Sequence, residues 1–314
     1  MTPLTRRRTL AALVLAGAGG VMWQITRRPR SDRADAIYAE PLEAPKGGQR
    51  VFHLGHSLVG QDMPAMLAQL AGTGHAYDSQ LGWGTSLKQH WEPSEPIAGF
   101  AEANAHPHYR DAREALLSGE YDAVVLTEMV EIRDAIRYHD SPVYLARWAD
   151  LARQANPRTR IYLYETWHHT DDGNGWLKRI DRDLPKYWQG GVKYPALEET
   201  AVPIHLIPAG QAMAAFVRAA QEAGGVGGIK RVQDLFARHA DGTPDTIHFN
   251  DRGAYLVALT HFAVLYHRDP KGLPHQLMRA DGTPADAPSP DAAALMQRVV
   301  WDVVRRYPET GVGA

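Results

Sequence analysis

From about residue 50 onward, short apolar runs alternate along the chain with longer stretches that are apolar on one side only. Arg50-Val51-Phe52-His53-Leu54 is an apolar run stopping at Gly55, which predicts a buried strand. Asp62 to Leu70 then spaces Met63, Met66, Leu67 and Leu70 along one helical face, with Pro64 in the first turn, where proline is tolerated. His75 to Leu81 reads as a strand running into Gly82-Trp83-Gly84-Thr85-Ser86, and Asp122 to Leu126 as a strand ending at Thr127-Glu128. Ser141 to Ala155 is helical, with Val143, Leu145, Trp148, Ala149 and Leu151 as its apolar members. Arg160 to Tyr164 is the next strand and leads into Glu165-Thr166-Trp167-His168-His169. Ile204 to Ile207 is another, followed by a helix from Gln211 to Ala223. A last long helix is predicted over Asp251 to His267.

Strands alternating with helices predict an α/β fold: a mostly parallel sheet covered on both faces, with functional loops at its carboxyl edge. Two stretches break the alternation. Residues 91–110 hold Trp91, Pro93, Pro96, Phe100 and Pro107 and read as a long loop over that edge. Residues 170–200, with Trp176, Tyr187, Trp188 and Tyr194 among glycines and charges, read as a second loop insertion, a lid or cap. Residues 271–314 are expected to form a C-terminal extension ending in a helix. No internal repeat is visible.

The first 36 residues are of a different kind. Thr5-Arg6-Arg7-Arg8-Thr9-Leu10 leads into an apolar run reaching Ile25, which predicts an export signal or an N-terminal membrane anchor, with arginines of twin-arginine type. Ala16-Gly17-Ala18 and Ala34-Asp35-Ala36 both offer small-residue cleavage sites, and an uncleaved anchor fits equally. The expected localisation is therefore outside the cytoplasm, periplasmic or extracellular, with membrane association through this segment. Residues 37–49, rich in proline and glycine, read as a linker, leaving 50–270 as the catalytic domain.

Composition narrows the chemistry. The 314 residues are 44% hydrophobic and 22% charged, with a formal net charge of −2, so a nucleic-acid partner is not expected. The chain has no cysteine. Disulfides, thiolate zinc sites, a cysteine nucleophile and a lipid-bearing cysteine are thereby excluded. His168-His169 and His106-x-His108 are not spaced as a helical metal pair, and neither a metal nor another cofactor is expected. Gly224-Gly225-Val226-Gly227-Gly228 follows a helix rather than a strand, which argues against a dinucleotide loop.

What remains is a set of residues suited to an activated serine, which needs a base, a group to orient that base, and donors for an oxyanion. Ser57 stands between the first strand and a helix, where its own N–H can face a site. Asp245 and His248 form a D-x-x-H pair just before the last helix, compact enough for the carboxylate to reach Nδ1 while Nε2 faces a serine. The bland alternatives are that Ser57 is a helix N-cap, Asp245 and His248 a capped helix entry, and Gly84 a turn glycine with Gly82 as its competitor. Glu165 and Trp167 suit either substrate contact or core packing.

These residues resemble the blocks of the SGNH/GDSL hydrolases. Gly55-His56-Ser57-Leu58 is similar to the first block, with histidine where aspartate is most common, and Gly84-Thr85-Ser86 is similar to the second. Asp245-Thr246-Ile247-His248-Phe249-Asn250 followed by Gly253 is similar to the fifth. The third block departs from the pattern: Leu126-Thr127-Glu128-Met129-Val130 has no asparagine, and Glu128 stands where that oxyanion donor would lie. The resemblance spans roughly residues 50–268. It implies a three-layer α/β/α sandwich of flavodoxin-like type, a Ser57–His248–Asp245 triad, and an oxyanion hole from Ser57 and Gly84. The implied activity is hydrolysis of a small ester, an O-acetyl group on an extracytoplasmic carbohydrate being favoured by export and the aromatic-rich loops. A carbohydrate O-acyltransferase and a catalytically weak carbohydrate-binding module stay open as alternatives.

Overall fold

The structure, a computed structural model, describes residues 32–313. The expected export segment therefore lies, up to residue 31, outside the described residues. Among the described residues no helix is long and apolar enough to cross a membrane.

Five strands, β1 (Arg50–His56), β2 (Ala76–Gly82), β3 (Ala123–Thr127), β4 (Arg160–Glu165) and β5 (Ile204–Pro208), form one parallel sheet in the order β2-β1-β3-β4-β5. The chain leaves β1 outward to β2 and returns past it to β3, so the switch point lies at the carboxyl ends of β1 and β3. A crevice opens at such a point in doubly wound folds of this order. The first half of the chain supplies helices α1 (Asp32–Ile37), α2 (Asp62–Ala71), α3 (Leu87–Trp91), α4 (Phe100–Ala103), α5 (Ala112–Leu117) and α6 (Ile132–Tyr138). The second supplies α7 (Ser141–Ala155), α8 (Trp176–Asp183), α9 (Tyr194–Glu199), α10 (Ala209–Glu222), α11 (Asp251–Tyr266) and α12 (Pro290–Arg306).

The period-two alternation of strand side chains sorts them into two cores. Val51, Val125, Tyr162, Tyr164 and Ile207 face the layer of α2, α10, α11 and α12, while Phe52, Leu54, Val124, Leu126, Leu163 and Leu206 face that of α5, α7 and α9. The result is a three-layer α/β/α sandwich, as the alternation predicted.

Three segments depart from expectation. Residues 176–200, read as a lid, are helical throughout: α8, a π-helical stretch Leu184–Lys193, then α9. Leu184, Trp188, Val192, Ala196 and Leu197 bury themselves in the second core, so the stretch covers the sheet rather than a site. The C-terminal extension is likewise part of the sandwich, because α12 buries Met296, Val300 and Val304 against α10 and α11. The chain ahead of β1 is tied down as well: the guanidinium of Arg33, within the expected export segment, donates to the Leu197 and Thr200 carbonyls, and the hydroxyl of Tyr38, in the expected linker, to that of Ile204. Residues 91–110 run largely without regular structure, as read, apart from the end of α3 and the single turn of α4.

Ahead of α11 the chain forms a small antiparallel pair, β6 (Phe236–Arg238) with β7 (Pro244–Phe249). The turn between them is closed by the His239 N–H bonded to the Thr243 carbonyl at 2.9 Å, with Gly242 at φ 83°. Glycine is the residue that adopts that conformation without strain.

Candidate active site

β1 delivers Ser57 to the carboxyl edge through a tight turn in which the Val59 N–H donates to the His56 carbonyl at 2.8 Å. Gly55 is required just before it, since a Cβ there would lie 2.6 Å from Cβ of Thr127 on the neighbouring strand. Two buried imidazoles brace the turn from below. His56 Nε2–H donates to the Glu128 carbonyl at 2.8 Å, and Nδ1 accepts the Leu58 N–H at 3.3 Å. His90 Nε2–H donates to the Gly55 carbonyl at 2.8 Å, and Nδ1 accepts from the Gln80 amide at 3.0 Å. A carbonyl can only accept, so each ring carries its proton on Nε2. Burial lowers both rings to about 4, which leaves them neutral near pH 7.

β7 delivers Asp245 and His248 to the same edge. His248 Nε2 stands 3.0 Å from Ser57 Oγ, and His248 Nδ1 stands 2.8 Å from Asp245 Oδ2. The other carboxylate oxygen accepts the N–H groups of Ile247 at 2.8 Å and His248 at 2.9 Å. Burial pushes the Asp245 carboxyl up, but these two donors and the imidazole outweigh it and hold the group below its ordinary range. Because Asp245 can only accept there, Nδ1 holds the proton and Nε2 is left to accept from the serine hydroxyl. Asp245, His248 and Ser57 thus form one continuous chain of contacts.

Gly84 lies on the same edge. His56 pairs with Gly82 in the sheet, so Ser57 and Gly84 follow neighbouring residues of adjacent strands. Gly84 has an exposed backbone at φ 59°, a left-handed conformation that its missing side chain permits. Gly82 has another reason to be glycine, since a Cβ there would meet Thr85 Oγ1 at 2.2 Å. The adjacent Trp83 is 57% exposed, with its ring against Gly99.

The remaining candidates are bonded to other partners. The buried Glu128 carboxyl accepts from Met129 N–H at 2.8 Å, Leu87 N–H at 3.3 Å and the Ser141 hydroxyl at 2.5 Å. It joins the end of β3 to the starts of α3 and α7, and burial pushes it up to about 7 in spite of those bonds. Glu165 accepts from the Gln211 N–H at 3.2 Å at the start of α10, and burial pushes it up to about 8. Trp167 is buried, its ring edge-on to Phe236 and tilted against Phe249 and its indole N–H bonded to the Ile247 carbonyl at 2.9 Å.

Sequence reading missed His56 and His90 as braces, although the histidine in place of the first block's aspartate was a signal for the former. It also missed Arg179, whose buried guanidinium meets Asp172 and Asp183 at 2.7 Å and Glu131 at 3.3 Å. Among the described residues no three histidine, aspartate or glutamate side chains gather as a metal site. His168 instead stacks on Trp176, His169 Nδ1 lies 2.7 Å from the Thr246 hydroxyl, and His108 stacks on Tyr77.

No family model and no curated relative matches the chain. Its structure is similar to that of a DUF4886 family protein from Bacteroides uniformis, with TM-score 0.51 and 18% identity over 83% of this chain and 95% of that one. A protein from Parabacteroides merdae described as a GDSL-like lipase is similar at TM-score 0.43 and 14% identity, over 71% of this chain and 97% of that one. A carbohydrate esterase of family 3 from Talaromyces cellulolyticus follows at 0.33 and 16%, over 69% and 96%. At such identities the likeness is one of fold. The sheet order, with a serine directly after β1 and D-x-x-H two residues before α11, agrees with the α/β/α fold that the resemblance implied.

Proposed function

We propose that the chain is a serine esterase that hydrolyses a small acyl ester through an acyl-enzyme on Ser57. The observation that carries this reading is the unbroken relay from Asp245 through His248 to Ser57, at 2.8 and 3.0 Å. In it Nε2 takes the Ser57 proton as Oγ attacks the acyl carbonyl, and Asp245 stabilises the imidazolium that forms. The tetrahedral oxyanion is met by the N–H groups of Ser57 and Gly84. His248 then returns the proton to the departing alcohol, and a water activated by the same nitrogen releases the acid. Glu128 takes no direct part, since its carboxyl is committed to three donors of its own.

The substrate we favour is an O-acetyl group on a carbohydrate. Trp83, exposed beside Gly84, offers a flat apolar face to a sugar ring, and the half-exposed His248 leaves room for a bulky alcohol. We place the reaction outside the cytoplasm because an arginine-led apolar segment precedes the fold. Cell fractionation should find the protein in the periplasm, the medium or the membrane, and full-length soluble protein in the cytoplasm would refute this.

The activity itself is read with p-nitrophenyl acetate. Wild-type protein should release a burst of p-nitrophenol followed by turnover, and Ser57→Ala should lose both, with turnover falling by about 10⁴ or more. Retention of the burst in Ser57→Ala would eliminate Ser57 as the residue that carries the acyl group, and a protein without any turnover would leave carbohydrate binding as its role.

A further inference from the structure

The segment bearing Asp245 and His248 is held from one side by the loop that follows β4. Trp167 Nε1–H donates to the Ile247 carbonyl at 2.9 Å, Thr170 N–H donates to the Thr246 carbonyl at 2.8 Å, and His169 Nδ1 lies 2.7 Å from Thr246 Oγ1. On the other side the β6–β7 ladder pairs Phe236 with Phe249 and Arg238 with Pro244, and is irregular between these two pairs. The stretch 245–248 falls in that irregular interval. The loop is itself anchored: Trp176 Nε1–H donates to the His168 carbonyl at 3.0 Å, and Asp172 pairs with the buried Arg179 at 2.7 Å.

The Asp245 carboxylate bonds the N–H groups of Ile247 and His248 as well as the imidazole. Acid and base are therefore locked to each other within four residues. If the segment shifts, they move together, and the contact that changes is the one from Nε2 to Ser57. The Trp167 ring is buried between Phe236 and Phe249, and its one polar atom is already engaged.

We propose that Trp167 is a positioning residue for His248, its indole N–H setting the distance from which the base reaches the serine. This rests on the reading of Ser57 as nucleophile. Displacement of a catalytic group by a fraction of an ångström to an ångström is enough to slow a reaction many-fold while binding is untouched.

Trp167→Phe keeps an aromatic ring in the pocket and deletes the donor together with part of the ring's volume. With p-nitrophenyl acetate, kcat should fall about five- to ten-fold with KM within about two-fold, as expected for an interaction that matters in the transition state. A second readout does not depend on turnover. The ¹⁵N signal of His248 Nε2, assigned by its loss in His248→Gln, should move when Ser57 is replaced by alanine. In the Trp167→Phe background that movement should shrink. A folded Trp167→Phe protein with wild-type kcat and an undiminished response to Ser57→Ala overturns the proposal. Should wild type show no Ser57-dependent turnover, the esterase reading fails on its own, and the Nε2 response still decides the role of Trp167. If Trp167→Phe does not fold, β-(3-benzothienyl)alanine at position 167, which keeps the bicyclic shape and lacks the N–H that bonds the Ile247 carbonyl, replaces it in both measurements, with the same direction expected and the same result overturning the proposal.

Discussion

The two halves of the candidate active site are held by different means. Ser57 stands at the end of a central strand, over a turn whose backbone is bonded to two buried, neutral imidazoles, His56 and His90. His248 stands on a short strand outside the main sheet, with 46% of its side chain exposed and its neighbours bonded to a surface-facing loop. The nucleophile is thus fixed by burial and the base by a few directed hydrogen bonds. Burial resists displacement because every shift opens a void or strands a polar group. A handful of exposed or half-exposed bonds, each contributing about 1 kcal/mol net, resists it far less. Changes on the β7 side should therefore act on rate, and changes beneath β1 on stability.

The largest effect should come from breaking the orientation of the base. Asp245→Asn keeps the shape but places a donor opposite Nδ1–H, favouring the tautomer in which Nε2 carries the proton and cannot accept from Ser57. Steady-state kcat should fall by about 10³–10⁴ with thermal stability little changed. Near-normal kcat would show that Asp245 does not govern the base. Next in size is the five- to ten-fold loss expected of Trp167→Phe.

The nucleophile side is tested by stability against pH rather than by rate. An unfolded histidine takes up its proton near pH 6.5, whereas folded His56 and His90 do so only near 4. The unfolded state binds more protons in that window, so stability is complete above about 6.5 and is lost as pH falls toward 4. Glu128 and Glu165 act in the opposite sense, because their raised carboxyls disfavour the folded state as pH rises above 4.5. A difference measurement isolates the imidazole. Between pH 7 and 5, urea unfolding of His90→Gln should lose roughly 2 kcal/mol less stability than wild type. Equal slopes would mean that His90 is not held neutral beneath the serine.

Much of this was legible in the sequence, and what was legible was local. The helix Ser141–Ala155 has the bounds its apolar spacing predicts, and β1, β3, β4 and β5 follow from runs bounded by glycine or polar residues. Ser57, Asp245 and His248 could be linked because a serine after the first strand and D-x-x-H before a helix each sit at a sheet edge by topology alone. Residues 176–200 were opaque because Pro185, Gly190, Gly191 and Pro195 break the helical pattern there. The helix is instead supported by packing on the second core and by Arg179, whose partner Glu131 lies 48 residues away. Glu128, Glu165 and Trp167 were placed at the right edge, yet their roles depend on which donors and acceptors neighbouring loops bring: Leu87, Ser141 and Met129 for the first, Gln211 for the second, Ile247 for the third. Nothing in the local sequence of those residues specifies such partners.

The central claim is that Ser57 carries the acyl group, and the p-nitrophenyl acetate burst tests it most directly when it is quenched in acid and the protein is mapped by mass spectrometry. The relay of Asp245, His248 and Ser57 predicts one acetyl group per chain, on the peptide containing Ser57, and none in Ser57→Ala. Acetylation at another residue, or turnover without any acetyl-enzyme on Ser57, would contradict it.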